Sequence, residues 1–480
     1  MTPISAPRRA ERALARGIAR VTGSALGPYQ TAVIRIGFSF TWLAFLLREW
    51  PHRHELYGPD GPWNWDMARR LIDENGALTA LIWSDSRLWF EAVYFFAIAA
   101  GALLLLGWRT RATSVLFMTG VLSLQNRSIF VGDGGDNVIH LMAIYLVLTR
   151  CGQVWSLDAR RRARTGNGGR DRGGIVLWAV LGAVLLLATG LGRLSWGWQA
   201  VYWGLWAAQG VHGAVRRRVA GAGLPIPGGA NAPGVPGQRT PADATPARTP
   251  PAPAASAGAA LTQSAPTESA PAEQTAMQQA GAAGTGAGAA AERAPREVRP
   301  ERPLSREAAT VLEAITNLVH NGALFVIMAE VCLIYATAGW YKVQGTRWQD
   351  GTALYYPMHL NYFSPWPELS GVLAGSGVLV LLITYGTVIV QVAFPFTLFN
   401  RGVKNVLLVL MMAEHLAIAF ALGLPFFSLA MIAADAVFLP TGFLRWVGGR
   451  AARLRELRPA RSAGEAVRSD SRRPDRTLVG

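Results

Sequence analysis

Among 46 basic residues the chain keeps only two lysines, Lys342 and Lys404. Arginine stays charged in proteins, whereas a lysine amine can give up its proton and serve as a base or nucleophile. Lys342 closes an apolar run, within Ala338-Gly339-Trp340-Tyr341-Lys342 and ahead of Gly345-Thr346-Arg347-Trp348-Gln349-Asp350-Gly351. Two roles fit that setting. The side chain can snorkel its charge toward an interface. Alternatively, a partly desolvated amine among Trp340, Tyr341 and Trp348 can accept a proton.

A second polar group lies in Gln125-Asn126-Arg127-Ser128-Ile129-Phe130-Val131-Gly132-Asp133-Gly134-Gly135-Asp136-Asn137. Asp136 or Asn137 can cap the helix that follows, because both accept from free backbone N–H groups. Two carboxylates at this spacing also suit a hard cation, but they match a calcium loop poorly, so no metal site is expected. His140 shares a helical face with Asn137. It is either a satisfied interior histidine or a functional one, since polar groups in a bilayer are costly. Glu330, Glu414, His415 and Asp435 also fall inside apolar runs. They form either an interior hydrogen-bonded network or a proton route.

The elements that must position these residues are membrane helices. Of 480 residues, 51% are hydrophobic and 16% are charged, against about 25% charged in soluble domains. Ten apolar runs begin near Tyr29, Trp89, Ala112, Asn137, Ile175, Trp196, Leu318, Gly371, Val406 and Pro425. This predicts an all-α, polytopic membrane protein with about 8–10 transmembrane helices, in contact with the lipid bilayer. The net charge of +16 is spread as clusters flanking these runs, which argues for the positive-inside rule and against nucleic acid. The two cysteines build neither a disulfide framework nor a zinc site. The run after Tyr29 is too long for a signal peptide and is expected to remain as the first crossing.

The expected organisation is a basic N-terminal segment (1–24) and a first membrane part (25–160). An extra hydrophobic helix pair (161–213) follows, then a disordered Ala/Pro/Gly-rich cytoplasmic linker (214–310). A second membrane part (311–442) and a basic tail (443–480) complete it. With both termini cytoplasmic in the cell membrane, the arginine-rich connections fall inside. Those at Arg48–Leu88, Gln125–Asp136, Gly192–Ser195 and Ala338–Ser370 then fall outside.

Several stretches together resemble the HTTM family, the horizontally transferred transmembrane domain. They are Asn126-Arg127 with Gly134-Gly135-Asp136-Asn137, Trp155-Ser156-Leu157-Asp158, the Ala-Gly-x-x-Lys and Trp-x-x-Gly of Ala338–Gly351, and Phe426-Phe427-Ser428 to Asp435. The resemblance covers roughly residues 25–160 and 310–442. The family includes the vitamin K-dependent γ-glutamyl carboxylase, whose catalytic lysine is similar by motif to Lys342. It implies a lumen-facing site, a reduced quinone as cofactor and Lys342 as the base. Two features depart from the carboxylase. Its Trp-Asn-Asn-His motif has no match, although Asn137 and His140 lie nearby, and the segment after Leu439 is short and basic. Another branch of the family assists maturation of a secreted peptide toxin.

Three functions therefore stand as expectations. The first is carboxylase-like proton abstraction from a quinone or lipid substrate, with Lys342 as base. Trp340, Tyr341 and Trp348 would form an aromatic wall, with Asn126, Asp136, Asn137 and His140 as polar neighbours. The second is a non-enzymatic component assisting maturation or secretion of a secreted or membrane protein partner. The third is transport through Glu330, Glu414, His415 and Asp435. A closed cleft joining Lys342 to Asp136 or His140 favours the first, Lys342 in water the second, and a polar corridor the third.

Overall fold

In lipid a segment must satisfy its backbone groups internally, which leaves helices or closed barrels. The computed structural model describes residues 6–165, 171–221 and 303–456, and among the described residues there are helices and no strands. The arginine-rich α1 (Ala6–Gly23) leads into α2 (Pro28–Arg48). Short helices α3 (Arg53–Tyr57) and α4 (Trp65–Asn75) occupy the connection to α5 (Arg87–Leu106). Then come α6 (Thr110–Arg127), α7 (Gly134–Leu148) and the short α8 (Leu157–Thr165). The pair α9 (Arg172–Gly190) and α10 (Trp196–Gly221) precedes α11 (Pro303–Gln344), the longest at 42 residues. Three short helices, α12 (Thr346–Gln349), α13 (Tyr355–Met358) and α14 (Pro367–Gly375), fill the way to α15 (Gly377–Ala393). Last are α16 (Arg401–Ala421), α17 (Pro425–Asp435) and α18 (Thr441–Glu456).

Every one of the ten apolar runs is helical. Among the described residues six helices (α2, α5, α9, α11, α15 with its continuation to Thr397, and α16) are long and apolar enough to cross a membrane, and α17 with α18 makes a seventh if that bent pair is one span. The chain is a multi-pass membrane protein. α6 falls below the same threshold because it carries Thr110, Thr113, Ser114, Ser123, Gln125 and Arg127, all buried against protein. α7 has 15 residues, about 22 Å of helix against a hydrocarbon core of about 30 Å. The 114° bend between α17 and α18 falls where Leu439 is extended ahead of Pro440, as a residue before proline prefers.

The described residues belong to one compact unit. At its centre α2 presents Ile34, Phe38, Trp42 and Leu46, spaced by four so that they form one stripe. This stripe belongs to the same apolar core as Tyr94 and Ala97 of α5, Val121 of α6 and Ala433 of α17. The extra pair is held differently. Trp178 of α9 and Trp206 of α10 stack with ring centroids 4.1 Å apart. Each indole N–H donates to the other's backbone carbonyl at 3.0 Å.

Two ends of the bundle are tied by buried arginines. Arg35, 0% exposed, donates to four carbonyls: Cys151, Leu104, Leu105 and Trp155. It thereby closes the end of α5 and the turn after α7. Asp158 accepts from Arg109 N, Thr110 N and Thr110 Oγ1, capping α6 from another segment. These contacts, with Arg150 against Glu313, gather the arginine-rich connections at one end. At the opposite end Arg127 donates to the carbonyls of Gly58 and Trp63, pinning the connection before α5.

The expected linker needs narrower bounds, because α10 continues to Gly221 and α11 begins at Pro303. The expectation of disorder over the rest of 214–310 lies outside the described residues. The basic tail starts as helix α18, and its remainder also lies outside them.

Candidate functional site

α11 carries the site because one of its faces stays buried along its length. His320, Leu324, Ile327, Val331, Tyr335 and Gly339 recur every three or four residues and are all buried, and Lys342 continues the series. From His320 to Lys342 the helix rises about 33 Å, roughly the thickness of the hydrocarbon core. His320 belongs to the arginine-rich end, where its Nδ1 accepts from the Arg150 backbone N–H at 2.8 Å. Lys342 lies at the other end.

Lys342 is half-buried rather than free in water. Its Nζ donates to Gln391 Oε1 of α15 at 2.6 Å, and Gln391 Nε2 donates to Glu414 Oε1 of α16 at 2.7 Å. Trp348 lies beside the same amine, 5.3 Å from ring centroid to Nζ, within cation–π range. Gly339, one turn back, allows α11 to approach α15, since a β-carbon there would stand 2.6 Å from Val392 Cγ2.

Next to Glu414, His415 shares a 2.9 Å hydrogen bond with the Tyr335 hydroxyl. Asp435 of α17 is fully buried, and neither carboxylate oxygen has a hydrogen-bond partner of good geometry, although the Tyr335 side chain interacts with it. The polar groups of four helices thus meet in one region: Lys342 and Tyr335 of α11, Gln391 of α15, Glu414 and His415 of α16, and Asp435 of α17. Glu330 sits about 140° round α11 from Tyr335, on another face. Toward His320 the stripe turns apolar through Val331, Ile327 and Leu324, so no polar corridor follows this face of α11 from end to end.

The expected site residues separate into two groups. Trp348 does accompany Lys342. Trp340 and Tyr341 do not form a wall there, because they turn out of the bundle at 62% and 73% exposure. Adjacent helix positions are about 100° apart, so residues one and two before the half-buried Lys342 face elsewhere. Asn126, Asp136, Asn137 and His140 are not brought to Lys342 by any hydrogen bond or charge interaction among the described residues. Asn126 Nδ2 donates to the Leu78 carbonyl at 2.8 Å. Asp133 rather than Asp136 or Asn137 is the N-cap of α7, and Asp136 completes the capping box by accepting from Asp133 N. Both carboxylates are thereby engaged in helix-end structure. Asn137 is exposed and His140 half-buried on α7. This helix still borders the site indirectly. Gly135 abuts the Phe427 backbone, where a β-carbon would come within 2.6 Å of Cα, and the Phe427 ring packs edge-on to His415 at 5.5 Å.

Gln391 and Tyr335 complete the site and were not among the expected residues. A lone glutamine inside the apolar run after Gly371 is the available signal, because an intramembrane polar side chain needs a partner. Tyr335 gives no such signal, since tyrosine is ordinary in an apolar run. Beside the Lys342 amine stand the Trp348 ring face and the Gln391 amide. No three His, Cys, Asp or Glu side chains gather as metal ligands would among the described residues. No family model matches the chain, and neither does any curated protein or solved structure.

Proposed function

We propose that this is an HTTM-type membrane enzyme in which Lys342 removes a proton from the hydroxyl of a membrane-borne quinol or lipid, in the manner of the vitamin K-dependent carboxylase. The Lys342–Gln391–Glu414 chain carries this reading. A base needs a free electron pair beside an ordered, partly dry surface. Gln391 meets the amine with a neutral oxygen rather than a carboxylate, so no direct ion pair holds it as ammonium. The amide does not pass the proton on. It fixes the amine while Glu414 acts across it. A reduced quinone would lie on Trp348 and supply the acidic hydroxyl. By the positive-inside rule the arginine-rich end is cytoplasmic, with both termini there, and the Lys342 end faces the extracytoplasmic side of the cell membrane.

The test is quinol oxidation under oxygen by membranes containing the full chain, with and without carbon dioxide. Lys342→Met is expected to abolish activity in a folded protein. Gln391→Glu is expected to do nearly the same, because a carboxylate in contact pairs the ammonium. A parent chain inactive with every quinol tried would sink the enzymatic reading.

A groove favours a second reading, a membrane component that assists maturation or secretion of a partner protein. It has a volume of about 390 Å³ and is lined by Leu56, Pro62, Trp63, Phe130 and Val131 among others. It opens beside the start of α7, at the same end as Lys342. Crosslinking from Phe130 that captures one secreted polypeptide, with quinol activity absent, would select this reading.

A further inference from the structure

We propose that the arginine-rich end holds a binding site for the phosphate group of an anionic phospholipid, formed by Arg111, Arg150 and Arg216 around His212. Four segments build it. Arg111 opens α6, Arg150 follows α7, His212 and Arg216 lie on α10, and Glu313 lies on α11. Gln209 Nε2 donates to the Arg111 carbonyl at 3.2 Å, tying α10 to α6.

Charge is unbalanced here. Arg150 takes Glu313 as its ion-pair partner and also donates to Asn317 Oδ1 at 2.6 Å. Among the described residues neither Arg111 nor Arg216 has a carboxylate within ion-pair distance. Arg111 feels Arg150, Arg216 and Arg162 against Glu313 alone. Several guanidinium groups crowded around one carboxylate repel one another, and a bound anion removes that cost.

His212 gives independent evidence. It is 8% exposed, and neither ring nitrogen has a hydrogen-bond partner. It lines a cavity of about 10 Å³ together with Arg216, Glu313 and the apolar Val215, Val219, Ala309 and Leu312. Such a space holds about one water, so the phosphate sits at its rim and His212 reaches it directly or through that water. Two unsatisfied nitrogens in a buried ring are costly unless something supplies their bonds.

A lipid is the favoured source of the phosphate because the same helix pair offers it an apolar wall. Val211 beside His212 is exposed, as are Val176, Val180 and Val184, spaced by four along α9. Basic pockets between membrane helices on the side where arginines cluster suit anionic headgroups. Arg fits phosphate with two parallel hydrogen bonds, which a point charge does not provide.

The experiment uses the purified full chain in nanodiscs of phosphatidylcholine, with phosphatidylglycerol added at a few per cent. Thermal stability and retained lipid, counted by native mass spectrometry, are read for the parent and for Arg111→Gln/Arg216→Gln. The parent is expected to melt higher with phosphatidylglycerol and to retain one such lipid per chain. The double variant should lose the increment, with apparent affinity falling on the order of tenfold. If millimolar inorganic phosphate gives the same increment and no lipid is retained, the site stands and its ligand is free phosphate. If neither phosphate source shifts the parent and no lipid is retained, the proposal is overturned. An increment of the same size in the double variant also overturns it. Should the double variant not fold, lipid retention by the parent decides alone.

Discussion

Gly339 stands so close to Val392 that a β-carbon on it would lie 2.6 Å from the valine Cγ2. One turn further on, Lys342 reaches Gln391 on the same neighbouring helix. The absent side chain therefore sets the distance at which the amine meets its amide partner. Valine is stiff in a helix and cannot swing clear. Gly339→Val should force α11 from α15, at about 1–3 kcal/mol of overpacking. Lys342 would then lose Gln391, and quinol activity should fall as far as in Lys342→Met. Gly339→Ala should retain part of it. Melting in detergent together with activity checks this, and full activity in the valine variant would show that the approach does not set the amine.

Asp133 and Asp136 separate helix-end structure from chemistry. Asp133 Oδ1 accepts from Gly135 N at 2.7 Å and from Asp136 N at 3.2 Å. Asp133→Ala should cost about 1 kcal/mol, the usual value of an N-cap, and loosen Gly135 against Phe427. Asp136→Asn keeps an oxygen for Asp133 N and should cost less. Neither should lower activity by more than its loss of folded protein. A larger fall for Asp136→Asn at full stability would return Asp136 to the site.

Arg35 is the residue whose loss should harm the fold most. Its guanidinium serves four carbonyls on two segments, and the bonds to Cys151 and Leu104 are fully buried. Leaving buried acceptors unpaired costs about 1–3 kcal/mol each. Arg35→Met should therefore prevent accumulation of folded protein. Arg35→Lys should rescue only partly, because an ammonium cannot reproduce the planar fork. Yield and melting temperature measure both.

The helices were legible because hydrophobic runs and their arginine flanks are local signals. Every expected run is a helix, and the cationic connections do converge at one end. The partners of polar residues were not legible. Arg127 bonds the carbonyl of Gly58, 69 positions earlier, and nothing near either residue announces the other. Asn126 and Asp136 drew attention as polar residues between apolar runs, yet that property serves a helix end as well as a substrate. Lys342 stood out by its chemistry, and Trp348 lies with it. Trp340 and Tyr341 stand apart because residues next to each other on a helix face different directions. Gln391 lay hidden as a single amide in an otherwise apolar helix.

Asp171 gives a pH dependence outside the membrane spans. Its carboxylate accepts two hydrogen bonds from Arg109, at 3.0 and 2.8 Å, and caps the first turn of α9 through Gly174 N. The Arg109 hydrogen bonds hold its pKa below the ordinary aspartate value of 3.8. A carboxyl depressed in the folded state adds stability that is fully present above the unfolded pKa and fades as pH falls through the folded one. The window is thus from about pH 4 downward. Asp171 is half-exposed, so solvent screens the pair and the effect is small. Asp171→Asn should melt slightly below the parent at pH 7, and the gap should narrow as pH falls below about 4. A gap unchanged at pH 3 would mean that Asp171 acts by shape or capping alone rather than by its charge on Arg109.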